Sequence, residues 1–290
     1  MEETILIPSG SDTLSAMLYR PEGEPKCGVV MCHPLFEERK SAHRVMVDAA
    51  RALADAGCAV LRFDYRGCGD SSGDFAAFSC PDWRDDIARA CRFLTDNTPV
   101  KRLGLLGLRL GASLALEAAA TLETVDFAVL WEPILNGRRH FDHELRRKVV
   151  REMVTFGQSR VTRATLLKDL DDGKPVDLDG FAVTSRLFAD IGAIDLTRAS
   201  PAAQVGRALR RPASAGSVVP AVLNKVLVVQ IAPTGAAPRE LQGFKDAIQT
   251  AGADVDLVSA EEDPFWNLVG LVECPKLIEK TREWIRYQHQ

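Results

Sequence analysis

The sequence predicts an α/β protein with a mostly parallel, doubly wound sheet and a helical insertion. Three observations carry that expectation. Short Val- and Leu-rich runs alternate with segments of helical period up to Trp131. From Asn136 to Pro220 the alternation lapses into charged, mostly helical sequence. It then resumes from Val226 to the final helix. Such alternation builds a parallel sheet, and an insertion of that length sits over the carboxyl ends of the strands as a cap.

Thr4–Pro8 and Leu14–Arg20 read as strands, and Gly10-Ser11-Asp12 between them is turn chemistry for a hairpin. Cys27–His33 is short and Val-rich, as suits a strand covered on both faces. Ser41–Ala56 has helical spacing and stops at Gly57. Cys58–Phe63 is the next strand and Asp82–Asp96 the next helix. Leu103–Leu106 feeds a tight turn, Leu108–Leu122 is the helix behind it, and Phe127–Trp131 is a further strand. In the insertion, His143–Phe156 and Arg163–Leu170 read as helices, and the Ala/Ser/Pro-rich Arg207–Pro220 as a loop. Val226–Ile231, Arg239–Ala251, Val255–Ser259 and Pro275–Gln288 then alternate strand and helix. The expected division is a core of residues 1–135 and 221–290 with a cap of residues 136–220.

Composition narrows the function. Hydrophobic content of 46% and charged content of 26% are those of an ordinary globule, and the net charge of −4 gives no nucleic-acid footprint. No apolar run approaches the ~20 residues of a membrane span. Met1-Glu2-Glu3-Thr4-Ile5 lacks the basic and apolar start of a signal peptide, so the expected location is the cytoplasm. The seven cysteines contain no C-x-x-C pair and read as reduced, mostly buried thiols. Neither metal-ligand spacing nor a phosphate-cradling glycine loop is visible, so no cofactor or metal is expected.

The motif that bears most on chemistry is Gly107-Leu108-Arg109-Leu110-Gly111. It has the small-x-nucleophile-x-small layout of a nucleophile elbow, with an apolar strand before it and a helix after it. Its centre is Arg109, a permanent cation that cannot attack a carbonyl.

With His33-Pro34 after a buried strand, the run Phe63-Asp64-Tyr65-Arg66-Gly67-Cys68-Gly69-Asp70-Ser71-Ser72-Gly73 and a cap before the last two strands, the elbow resembles the α/β-hydrolase superfamily in its serine-aminopeptidase and acyl-hydrolase-like branch. The resemblance spans nearly the whole chain. His33-Pro34-Leu35-Phe36-Glu37-Glu38-Arg39-Lys40-Ser41, Gly107–Ala112, Leu130-Trp131-Glu132-Pro133 and Pro264-Phe265-Trp266 also resemble the exosortase A system-associated hydrolase 2 family. That resemblance implies a hydrolase encoded with bacterial exopolysaccharide and exosortase systems. It implies an acyl, ester or amide bond as target, an acyl or glycan substrate, and export machinery as a possible protein partner.

Serine hydrolysis needs a nucleophile at the elbow, an acid after a later strand and a histidine after the last strand. The elbow holds Arg109. After Val226–Ile231 the chain reads Ala232-Pro233-Thr234-Gly235-Ala236-Ala237-Pro238, with no carboxylate before Glu240. After Val255–Ser259 it reads Ala260-Glu261-Glu262-Asp263-Pro264-Phe265-Trp266, with no histidine. The five histidines are His33, His43, His140, His143 and His289. None of the usual triad is therefore expected.

What remains at the same sheet edge is His33, Glu37 and Glu38 after one strand, Asp64 and Arg66 after the next, Arg109 at the elbow, and Glu132 after the strand beyond. His33, Glu37, Glu38 and Glu132 are the candidates to activate water. Arg109, His33, Arg66, Glu132 and Trp266 are the candidates to hold a small anionic ligand, since an elbow puts Arg109 at an anion-favouring helix N-terminus. The competing expectation is that Arg109 pairs internally with Glu132, Glu37 or Glu38, because an unpaired buried charge costs several kcal/mol. Two readings follow: a hydrolase with a nonstandard site, or an inactive relative that binds an anion or a protein partner. Cys32 beside His33 is expected to be a structural thiol, since adjacent strand residues point to opposite faces. Ser113 is expected to bond locally, and the 64–73 run to hold a tight loop. Trp131, Phe265 and Trp266 are expected to be pocket wall or core. The basic run Arg138, Arg139, Arg146, Arg147, Lys148 and Arg151 is expected on the cap.

Overall fold

A computed structural model of the chain describes residues 1–122, 124–196, 223, 225–234, 238–250, 252–268 and 270–287. The expected loop at 207–220 lies outside them, as do residues 235–237 and His289.

β1 (Glu2–Ser9) and β2 (Asp12–Tyr19) form the expected hairpin, closed by Ser9 opposite Asp12. The core continues with β3 (Cys27–Cys32), α1 (Phe36–Asp55), β4 (Cys58–Phe63), α2 (Cys80–Asn97), β5 (Leu103–Leu108), α3 (Leu110–Ala119) and β6 (Phe127–Trp131). Next comes the insertion: α4 (Gly137–Phe156), α5 (Arg163–Asp171), β7 (Val176–Leu178), β8 (Phe181–Val183) and α6 (Ser185–Ala193). The core closes with β9 (Lys225–Ile231), α7 (Arg239–Thr250), β10 (Asp254–Ala260) and α8 (Pro275–Tyr287).

Eight strands form one sheet in the order β1-β2-β4-β3-β5-β6-β9-β10, in which β2 alone runs against the rest. The chain leaves β3 for β4 on one side and returns to β5 on the other. The carboxyl ends of β3 and β5 therefore flank the topological switch point, where open α/β sheets bind ligands. One face of the sheet packs on α1 and α8, and the other on α2, α3, α7 and the cap. Cap residues Phe141, Leu145, Leu187 and Ile191 belong to the same apolar cluster as Leu105 and Leu130 of the sheet, so the cap is packed onto the core. The insertion leaves and returns side by side, with a bridge between Asn136 and Asp195 and Leu196 N–H donating to Leu135 O at 2.7 Å.

Three local expectations are corrected. α1 begins at Phe36 and not at Ser41, so Glu37 and Glu38 form its first turn, where carboxylates favour the positive helix end. α4 begins at Gly137, capped by the Asn136 side chain, six residues before the expected His143. The cap is not only helical: β7 and β8 pair through Asp179-Gly180, both at positive φ (55° and 94°), as a two-residue hairpin turn requires.

The glycines of the elbow set its sharpness. A Cβ on Gly107 would lie 2.4 Å from Ala112 Cα, and one on Gly111 would lie 2.4 Å from the carbonyl oxygens of both Cys32 and His33. β5, α3 and the end of β3 thus meet backbone to backbone. Gly111→Ala is expected to destabilise by about 1–3 kcal/mol through overpacking. Gly243→Ala, in the open on α7, is expected to stabilise by about 0.5–1 kcal/mol through helix propensity. Urea denaturation of both variants checks the contrast, and equal effects would contradict this packing.

Candidate functional site

Arg109 sits between β5 and α3 with φ 55° and ψ −122°, a strained conformation for a residue with a Cβ. Its N–H donates to Trp131 O at 2.9 Å, and its carbonyl accepts from Ala112 N–H at 3.0 Å. The backbone therefore makes an elbow, and the residue presented at its tip is an arginine. Phe36 (φ 54°) and Glu132 (φ 42°), which follow β3 and β6, are also at positive φ. Strain is thus gathered along this one sheet edge.

The Arg109 side chain meets two groups. Nε donates to Glu38 Oε1 at 3.1 Å, and the guanidinium lies over the Trp266 ring at 4.9 Å from its centroid. Its two terminal amino groups have no hydrogen-bond partner among the described residues. The internal partner is therefore Glu38, one of the three carboxylates considered, and not Glu132. Glu132 Oε2 instead accepts the Ile231 N–H at 2.7 Å and ties the end of β6 to the end of β9. Burial raises the Glu132 carboxyl above its ordinary range, opposed by that hydrogen bond and by Arg109.

Glu38 is almost fully buried. Desolvation pushes its carboxyl up to about 7 even though Arg109 works in the opposite direction. Two cap residues join it. His140 and Glu144 lie one turn apart on α4, both buried, and come down beside Glu38. Burial pushes the His140 imidazole down to about 3, with Arg109 adding to the effect. Its ring nitrogens have no hydrogen-bond partner among the described residues. Glu144 Oε1 accepts from Arg147 at 3.1 Å, and burial raises its carboxyl. Glu38, Arg109, His140, His143, Glu144 and Arg147 line a cavity of about 300 Å³ that Ile134 and Leu135 also border.

Three expected site residues are placed differently. Glu37 points away and pairs with Lys40 at 2.7 Å. Arg66 is tied into the core: Nε donates to the fully buried Asp86 at 2.7 Å, Nη2 donates to Asp82 O, and the guanidinium lies over Phe78. It has a structural partner where a ligand contact was expected. His33 is enclosed beside Tyr65, with Nδ1 against Pro34 O at 2.7 Å and Nε2 accepting Tyr65 N–H at 3.4 Å. Burial pushes its imidazole down to about 4, although Asp64 at 3.8 Å opposes this. Both nitrogens are occupied within the wall, so His33 shapes the loop.

Asp64 accepts from Arg39 and from Asp70 N–H, and Ser71 Oγ donates to Asp64 O at 2.6 Å, which holds the 64–73 loop tight. Ser113 Oγ donates to Ile134 O at 2.7 Å. Cys32 is buried, and its thiol is pushed up to about 12 by burial. Trp131 lies in the opposite apolar layer and donates to Thr281, whereas Trp266, backed edge-on by Phe265, reaches the elbow. The basic run of the cap is largely neutralised locally, through Arg139–Glu240, Arg146–Asp142, Lys148–Glu152 and Arg151–Asp179.

His140 and Glu144 were not foreseen. Their spacing of four residues puts them on one helix face. Only the docking of the cap onto the core brings that face to Glu38.

The sheet order, the elbow between β5 and α3 and the cap over the strand ends define an α/β-hydrolase. The family model described as "Serine aminopeptidase, S33" matches residues 23–180, and the chain belongs to that family. Solved structures agree on the fold. Est1E from Butyrivibrio proteoclasticus with ferulic acid bound has a TM-score of 0.67 at 17% identity, over 98% of each chain. The Pyrococcus furiosus esterase Pf2001 has a TM-score of 0.60 at 17% identity, over 99% of this chain and 88% of that one. The α/β hydrolase GrgF from Penicillium sp. sh18 has a TM-score of 0.62 at 16% identity, over 100% and 99%. No curated protein matches the sequence. Among the described residues no helix is long and apolar enough to cross a membrane.

His33 gives a test of the wall. Its pKa is lowered in the folded state, so between pH 6.5 and about 4 the unfolded chain binds a proton that the native chain does not. Stability from this residue is full above pH 6.5 and falls as the pH drops through that window, by up to ~3 kcal/mol. His33→Gln is expected to flatten the dependence of Tm on pH in that interval. An unchanged slope would show that His33 titrates freely.

Proposed function

We propose that the elbow cavity binds the carboxylate or phosphate group of a small ligand, and that this chain has no serine triad. The observation that carries the reading is Arg109 itself. One guanidinium edge is fixed by Glu38 and one face by Trp266, while Arg109 lines the cavity and its two terminal amino groups have no hydrogen-bond partner among the described residues. A planar fork held in this way suits a bidentate grip on a planar or tetrahedral anion. The residue over the elbow from the segment after β10 is Trp266, where serine chemistry would want a histidine. A cavity of about 300 Å³ suits a small molecule.

A second reading is hydrolysis of an acyl, ester or amide bond by water activated at Glu38, with Arg109 holding the developing oxyanion. It is favoured by one observation, a carboxyl near 7 beside a cation. The resemblance to exosortase A system-associated hydrolases would make the ligand or substrate an acyl or glycan acid of exopolysaccharide export. It would also make a component of that machinery the protein partner.

Isothermal titration with acetate, ferulate and inorganic phosphate tests the first reading. At least one is expected to bind saturably, and Arg109→Gln is expected to weaken it at least about tenfold, as the loss of a charge-assisted pair implies. A fluorophosphonate probe is expected to leave the protein unlabelled, and p-nitrophenyl acetate to be turned over no faster than in buffer. Ester turnover that disappears in Glu38→Gln would replace the first reading by the second.

A further inference from the structure

We propose that Glu38, His140 and Glu144 form a divalent transition-metal site that joins the core to the cap beside Arg109. The inference shares its cavity and Glu38 with the anion reading and completes it, but it adds His140 and Glu144, which that reading does not use.

One ring nitrogen of His140 and one carboxylate oxygen each of Glu38 and Glu144 lie within 4.8 Å of one another. Ligands around a tetrahedral ion at about 2.0–2.2 Å sit about 3.4 Å apart, so side-chain adjustments of roughly an ångström would close the set. All three residues are buried. The local ion pairs use only one oxygen of each carboxylate: Glu38 Oε1 faces Arg109 and Glu144 Oε1 faces Arg147. The other oxygens and both His140 nitrogens have no hydrogen-bond partner among the described residues. His140 is more than nine-tenths buried and lines the cavity, so its ring nitrogens, unbonded among the described residues, are left to meet whatever the cavity holds. An imidazole with two carboxylates is a donor set that suits zinc, manganese or ferrous iron more than calcium or magnesium. Arg109 and Arg147 would then act as the outer donors that orient ligating carboxylates.

Charge connects this site to the anion. Two glutamates and two arginines cancel, so a divalent cation would leave the cavity positive. Three protein ligands leave a coordination position open. A carboxylate placed between the ion and the free edge of Arg109 would fill that position and restore neutrality. Metal and anion should therefore bind with positive coupling, each tightening the other by the same factor.

The test uses the full chain and the metal alone. After dialysis against zinc chloride, elemental analysis is expected to find one equivalent per chain. Cobalt(II) titration is expected to give a saturable visible absorption band, and zinc to raise Tm. His140→Ala and Glu144→Gln, each checked for native circular dichroism, are expected to weaken metal binding at least about tenfold. Arg109→Gln is expected to keep saturable metal binding, at lower affinity, and to lose the anion. Acetate is expected to tighten cobalt binding in the wild type only. Absence of saturable binding, or binding unchanged in both His140→Ala and Glu144→Gln, would overturn the site. Arg109-dependent anion binding by a chain that binds neither zinc nor cobalt would leave the proposed function standing and this inference refuted.

Discussion

A guanidinium at the carboxyl end of the central strand must be compensated, and the architecture around the elbow follows from that requirement. Water cannot do it alone, because the cap covers this sheet edge and leaves the Arg109 side chain less than one-fifth exposed. Glu38 supplies the opposite charge and Trp266 a polarisable face. Glu38 in turn has been removed from water, and its attraction to Arg109 does not fully offset that loss, since its carboxyl remains well above the ordinary range. The pair is therefore a weak source of stability. Its consequence is placement: it holds a cation still at the mouth of the sheet while part of that cation remains available.

The same edge carries the backbone strain. Phe36, Arg109 and Glu132 follow three neighbouring strands, β3, β5 and β6, and all have positive φ. At each point the chain turns sharply out of the sheet. At Phe36 the turn starts α1 early enough to deliver Glu38. At Glu132 it places a carboxylate where it accepts an N–H from β9. These are different uses of one geometry: a strand end bent hard enough to aim the next side chains inward.

The parts of this arrangement that are local in sequence were legible. Gly107 and Gly111 flank the elbow because backbone meets backbone there, and that spacing survives whatever residue stands between them. Arg109 was legible as the centre of the site for the same reason. Which carboxylate would answer it was not. Glu132, Glu37 and Glu38 are all near in topology, and the choice depends on α1 beginning at Phe36, a start with no side-chain cap to announce it. Arg66 misled because its partner, Asp86, lies on the next helix and its burial is a tertiary fact. The cap hairpin did carry a signal, Asp179-Gly180, but the charged, helix-like surroundings outweighed it. His140 and Glu144 share a helix face by their spacing, yet nothing local says which face docks on the core.

The fold and the chemistry of this edge are therefore separable. The elbow is held by glycine contacts and by hydrogen bonds of the Arg109 main chain to Trp131 and Ala112, none of which involves the side chain at its tip. A fold built in this way tolerates a change of side chain at the tip without losing the turn. The surroundings are less tolerant. Glu38 and Glu144 are buried carboxylates that need cations, and Arg109 and Arg147 supply them. Placing a hydroxyl at the tip would leave the buried Glu38 without its ion-pair partner and Trp266 over an empty position. An arginine here is thus matched to its neighbours on α1, on the cap and after β10 together. A site matched from three separate segments is organised around charge, where a serine hydrolase would be organised around a nucleophile.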